Sequence, residues 1–271
     1  MKSFFFNPET LAATAAAFQD QYRDAEPFPH CVIDGIVPDD VLDSVAFEFP
    51  SAPQMELGYD TRNDYKSASQ DINRWGPNTR LLMAELNSAP FLTFITQLTG
   101  IPRLISDPYY DGGGLHQTVR GGKLGIHADF NKHSILGIDR RVNVILYLNR
   151  DWDPSWGGDL ELWDKSMRSK VGTVTPAFGR CLVFNTNDFS FHGHPEPLDC
   201  PPGQSRRSLA LYYYSNGRPL SDLAGESHGT QFRRRPGTAD LTVAQRSKLM
   251  AREILPPVLF RRIQRMRGYD S

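Results

Sequence analysis

Within the stretch KLGIHADFN, His127 and Asp129 stand two residues apart, and on an extended chain residues at that spacing project from one face. An imidazole and a carboxylate side by side make a two-point chelate for a divalent metal. The third donor has to come from a distant strand, and FSFHGHPEPL offers His192 or His194 just after the apolar run RCLVFN. Two imidazoles and one carboxylate on one face of an octahedron leave three positions open, the arrangement with which a non-haem Fe(II) centre takes a chelating acid and O2 together. A closed four-ligand zinc site has no such room. An HxD pair arises often by chance, so its weight comes from its neighbours.

The informative neighbour is RRSLALYYY, a strongly β-forming run that opens with Arg206 and Ser208, again two apart and on one face. A guanidinium grips a carboxylate in bidentate fashion, and an adjacent hydroxyl adds a hydrogen bond. The pair therefore suits one end of a buried dicarboxylate.

The elements that position these residues follow from the patterning. Helices are predicted near 8–23, 38–48 and 77–99, each entered by a Pro, Asp or Asn that starts helices. HCVIDGIV (30–37) reads as a short strand, and the polar stretch 51–76 as a long loop of the kind that often acts as a lid. From about residue 103 short β-like runs follow one another, separated by Gly, Pro, Asn and Asp: RLISDPYY, LHQTV, KLGIHAD, RVNVILYLN, DLELW, KVGTV, RCLVFN, FSFHG and RRSLALYYYS. Many short strands in succession imply a barrel or a two-sheet sandwich, not a parallel α/β sheet. After 218 the chain turns polar, and two helix-like stretches near 241–254 and 256–267 are split by Pro256-Pro257.

Taken in order, HAD, YLNRDWDPSWGGDLELW, GRCLVFNTNDFSFHGHP and RRSLALYYY resemble the prolyl 4-hydroxylase-like branch of the 2-oxoglutarate/Fe(II) oxygenase superfamily over about residues 103–218. The resemblance implies a mainly β fold with supporting helices (α+β), its core a double-stranded β-helix, jelly-roll or cupin-like. Residues 1–102 would be a helical support, 103–218 the catalytic core and 219–271 a basic helical tail, all in one principal domain. It further implies His127 and Asp129 as ligands and His192, rather than His194, as the distal one. Arg206, helped by Ser208 and by Tyr147 of the family's YLN motif, would bind the far carboxylate of 2-oxoglutarate. The long insert GHPEPLDCPPGQS leaves Arg207 as the alternative anchor. Gln117 is expected to face the pocket, with His194 and His116 near substrate. Fe(II), 2-oxoglutarate and O2 are the implied cofactors, and hydroxylation with release of succinate and CO2 the implied activity. Asp129 argues against halogenation, for which relatives carry Ala or Gly there.

Composition sets the outer bounds. The 271 residues suffice for a full hydrophobic core, and 39% hydrophobic and 23% charged residues with a formal net charge of -1 describe an ordinary globular chain with no global pull toward nucleic acid. Residues 231–271 hold ten Lys/Arg against three acids, about +7 locally. That tail could touch an anionic membrane, but a helix docked with its Arg face in water is the favoured expectation. Cys31, Cys181 and Cys200 lie far apart without CxxC spacing, which suits a reducing compartment and so the cytoplasm. The substrate expected from a compact chain without a peptide-docking module is a small molecule such as an amino acid or natural-product intermediate. A peptide or protein is the alternative, and a cupin-like binder of metal or ligand without turnover the competing class.

Overall fold

A computed structural model describes residues 5–61, 63–222 and 227–238. The chain divides at Arg233–Arg234 into two units, and the first, residues 1–233, holds every element discussed below. The two helix-like stretches of the basic tail lie outside the described residues. Among those described, no helix is long and apolar enough to cross a membrane.

Helix α1 (Pro8–Asp24) starts where the Asn7 side chain accepts from the backbone N–H groups of Glu9 and Thr10, the N-cap that the sequence advertises. It is followed by strand β1 (His30–Asp34) and helix α2 (Asp39–Phe47). The expected helix over 77–99 is two helices, α3 (Pro77–Leu86) and α4 (Ala89–Thr99). Ser88 is extended and Pro90 sits in the first turn of α4, so the chain breaks and restarts there. Gly100, at φ +70°, closes α4 in the left-handed conformation that glycine adopts without penalty.

The stretch 51–76 is not the long loop its polarity suggests. It contains a hairpin of β2 (Leu57–Asp60) and β3 (Asp64–Ser69), flanked by single turns of 3-10 helix. Strands β4 (Ile105–Ser106), β5 (Gly114–Val119), β6 (Lys123–Ala128), β7 (Asp139–Tyr147), β8 (Leu160–Trp163), β9 (Lys170–Val174), β10 (Arg180–Asn185), β11 (Phe191–His194) and β12 (Ser205–Ser215) follow the expected runs, and a short β13 (Gln231–Phe232) comes after them.

All pairings are antiparallel, in the order β1-β10-β7-β12-β5-β3-β6-β11-β8-β9, with β2, β4 and β13 attached at the side. The strands form a nearly closed jelly-roll barrel, as expected. Residues 1–102 are not helical alone, because β1 ends the sheet and β3 sits between β5 and β6.

Alternation divides the barrel's chemistry cleanly. Val142, Val144 and Leu146 of β7, Leu209, Leu211 and Tyr213 of β12, and Cys181 and Val183 of β10 face outward, packing with Leu82, Met83, Phe91, Phe94 and Leu98 of α3 and α4. Each such side chain contributes roughly 1.5–3 kcal/mol on burial. The intervening residues Tyr147, Leu182 and Phe184 face inward with Leu160, Leu162 and Val174. All three cysteines are buried free thiols.

One close approach sets the position of β3. Gly114 has φ +87°, and a Cβ there would run into the Ser69 carbonyl. Gly114→Ala is expected to lower stability by about 2–4 kcal/mol, from left-handed strain and overpacking together; chemical denaturation measures it, and an unchanged midpoint would contradict the contact.

Candidate metal centre

His127 lies near the end of β6 and His192 on the neighbouring β11, where the two are paired residues across the ladder. Their rings stand 4.5 Å apart between centroids. Each ring is oriented by its own strand: Nδ1 of His127 bonds the Gly125 carbonyl at 2.8 Å, and Nδ1 of His192 the Ser190 carbonyl at 2.9 Å. With Nδ1 donating, the Nε2 lone pair of each ring is free for a metal. Those Nε2 atoms lie 3.4 Å (His127) and 3.5 Å (His192) from the two Asp129 oxygens, a little beyond hydrogen-bond length. The three ligand atoms are all within 4.8 Å of one another and all three residues are buried. Two neutral imidazole nitrogens and a carboxylate oxygen converging on one point fit a divalent ion of the ferrous kind.

The charges suit that role. Burial pushes His192 down to about 4, partly offset by Asp129, so the ring is neutral at physiological pH. Burial alone would raise Asp129, but Arg140, His192 and His127 outweigh it and hold the carboxyl well below the usual range. Asp129 Oδ2 accepts from Arg140 Nη2 at 3.0 Å and from Asn143 Nδ2 at 2.8 Å. Arg140 is in turn held by Asn143 Oδ1 at 2.9 Å and stacked between the rings of Phe130 and Tyr212, 4.4 and 3.3 Å from their centroids. Sequence reasoning missed Arg140 and Asn143, because nothing in the local pattern couples them to Asp129, 11 and 14 residues away.

Arg206, only 6% exposed, donates through Nε to the Gly158 carbonyl at 2.8 Å and through Nη2 to the Tyr147 hydroxyl at 3.1 Å. Ser208 pairs with Tyr147 on one side and His116 on the other, and Arg206 with Thr118. Arg206, Ser208, Tyr147 and His116 therefore share the inward face. Arg207, the alternative anchor, points outward over the Phe49 ring. Gln117 corrects the expectation made for it: it pairs with Arg207, and its Nε2 donates to Ser205 Oγ at 2.8 Å on the outward face. A one-residue difference in register is enough to remove it from the pocket. His194 is buried, and among the described residues its Nδ1 has no partner. Burial, followed by the charges of Arg206 and Lys66, holds it well below its ordinary value. Burial and then Lys66 push His116 down to about 3.

Residues 113–214 match the 2OG-Fe(II) oxygenase superfamily. The matched stretch runs from β5 to β12 and so contains His127, Asp129, His192 and Arg206. The mouse prolyl 3-hydroxylase OGFOD1 is 27% identical over 196 residues, covering 70% of this chain and 33% of that protein, so the chain spans about a third of the relative's length. A Trichoplax adhaerens prolyl hydroxylase, solved with a hypoxia inducible factor peptide, superposes with a TM-score of 0.56 at 16% identity, over 76% of this chain and 91% of that one. A Phytophthora capsici prolyl 4-hydroxylase gives 0.54 at 20% identity, over 79% and 67%.

Arg140→Met removes one of the two donors that orient Asp129. It is expected to weaken Mn(II) or Fe(II) binding roughly 10- to 100-fold, the usual cost of losing such an outer contact. A metal titration reads this directly, and unaltered affinity would deny Arg140 its orienting role.

Proposed function

We propose that this chain hydroxylates an unactivated C–H bond of a prolyl residue in a peptide or protein, converting 2-oxoglutarate and O2 to succinate and CO2. The observation that carries the reading is the convergence of His127, Asp129 and His192 in one buried cluster inside a barrel whose inward face also presents Arg206. The support for a prolyl substrate is the sequence similarity to a prolyl 3-hydroxylase.

Bound ferrous iron with 2-oxoglutarate and O2 supplies the oxidising power for the C–H bond. The chain's own residues provide the rest. His127, Asp129 and His192 would hold the ferrous ion through two imidazole nitrogens and a carboxylate oxygen. The Arg140–Asn143 pair occupies Oδ2 of Asp129, so Oδ1 would be the oxygen offered to the metal. Arg206 and the Tyr147 hydroxyl hold the distal carboxylate of 2-oxoglutarate, with Ser208 one strand-step away on the same face. His116 and His194, kept neutral by burial, form the adjoining wall where substrate enters. Leu162, Leu182 and Phe184 make the remainder apolar, and Phe184 packs edge-on to His192 at 4.7 Å. A dry chamber of this kind protects the reactive step from water.

A small metabolite is the other substrate class to be tested. Proline-containing peptides, free amino acids and sugars are to be screened together for stimulated 2-oxoglutarate decarboxylation, with mass spectrometry for a gain of one oxygen. Stimulation by peptides, with the oxygen on proline, is expected; stimulation by a small molecule alone would replace the prolyl reading. Succinate formation should vanish in His127→Ala and Asp129→Ala, and turnover surviving in both would reject the oxygenase assignment for these residues. A protein that binds metal and never decarboxylates 2-oxoglutarate would be a cupin-like binder instead.

A further inference from the structure

Ladder register places a second cation on the wall that bears Arg206. Ala68 of β3 pairs with His116 of β5, His116 with Ser208 of β12, and Ser208 with Tyr147 of β7, so the four form one row across the inward face. Two residues further along stand Lys66 on β3, Thr118 on β5 and Arg206 on β12, the last two directly paired. Residues two apart on a strand share a face, so Lys66 and Arg206 flank Thr118. Their strands are separated by one intervening strand, roughly 10 Å between backbones, and both side chains are long.

The charge balance inside the barrel leaves these two cations incompletely matched. Arg140 is paired with Asp129 at 3.0 Å. Arg206 bonds two neutral groups, the Gly158 carbonyl and the Tyr147 hydroxyl. Lys66, its side chain 14% exposed, has Asp64 at 4.0 Å, beyond hydrogen-bond reach, and the Tyr59 ring at 5.2 Å from its Nζ. His116 lies in the adjoining row of the same face, and among the described residues the buried His194 has no hydrogen-bond partner for Nδ1. Burial and the nearby Arg206 and Arg140 oppose the charge on Lys66, while Asp64 and Asp129 support it. An anion between Lys66 and Arg206 would relieve that repulsion.

We propose that Lys66 is a second anchor for 2-oxoglutarate, its ammonium binding the distal carboxylate from β3 while Arg206 binds it from β12. This inference rests on the reading above that Arg206 holds that carboxylate. A dicarboxylate gripped by two cations gains most of its affinity at the end remote from the metal. The chain should therefore discriminate strongly against 2-oxo acids that lack a second carboxylate.

The test uses the full chain loaded with Mn(II) in the absence of any prime substrate, titrated calorimetrically with 2-oxoglutarate and with 2-oxobutyrate. Lys66→Met is expected to weaken 2-oxoglutarate binding roughly 10- to 100-fold, the loss of one charge-assisted hydrogen bond, and to leave 2-oxobutyrate binding and Mn(II) affinity as in the wild type. Lys66→Arg, which keeps the charge, should retain most of the 2-oxoglutarate affinity and also controls for folding. Unchanged 2-oxoglutarate binding in Lys66→Met overturns the proposal and assigns the lysine elsewhere, as does equal weakening of both ligands, which would place it at the metal end. If 2-oxoglutarate fails to bind the wild type, or binds Arg206→Met undiminished, the underlying reading of the site fails with it.

Discussion

A carboxylate enclosed in a protein barrel must be matched by charge and hydrogen bonds or it will take up a proton and stop being a ligand. Asp129, 8% exposed, is matched by Arg140 and Asn143 on one oxygen, and the rest of the site depends on that contact. The guanidinium keeps the carboxylate ionised, its hydrogen bonds fix the plane of the group, and its stacking between Phe130 and Tyr212 ties that plane to β12 and to the loop after β6. The two histidines need less support, because each ring is set by a carbonyl of its own strand.

Such a polar interior is tolerable because the opposite face of the sheet is apolar where the helices cover it. The helices α1, α3 and α4 cover Val142, Val144, Leu146, Leu209 and Leu211, and stability is drawn from that layer. The chemistry is drawn from the other face. With strand alternation separating the two, inward residues can be polar and cationic without opening holes in the main core.

The parts of this arrangement that were legible in the sequence are those carried by a two-residue period. HxD and RxS each declare a shared face, and the apolar alternation of β7, β10 and β12 marks them as strands. Legibility failed where the period was hidden or where parity alone decided. The β2–β3 hairpin has a polar inward face with Lys66 and a serine-rich outward one with Ser67 and Ser69, so no hydrophobic alternation reveals it. Gln117 looked like a pocket residue because its strand enters the pocket; its parity, fixed only by pairing with Arg207, turns it away. Arg140 was unreadable for a different reason: its partner Asp129 is eleven residues away around a loop, and no local pattern couples them.

The adjacent arginines of β12 show how this wall is insulated from its surroundings. Arg206 is enclosed with Tyr147, while Arg207 lies over Phe49 on the far side of the same strand. Which of them enters the chamber is decided by ladders to β5 and β7 that begin at Ser205 and Ser208. The segment leading in, residues 195–204, is itself pinned to the barrel: Leu198 exchanges backbone hydrogen bonds with Gly121 and Gly122, and Asp199 pairs with Arg120. An insertion that loops out while keeping those contacts would still deliver the same guanidinium to the same side of the strand.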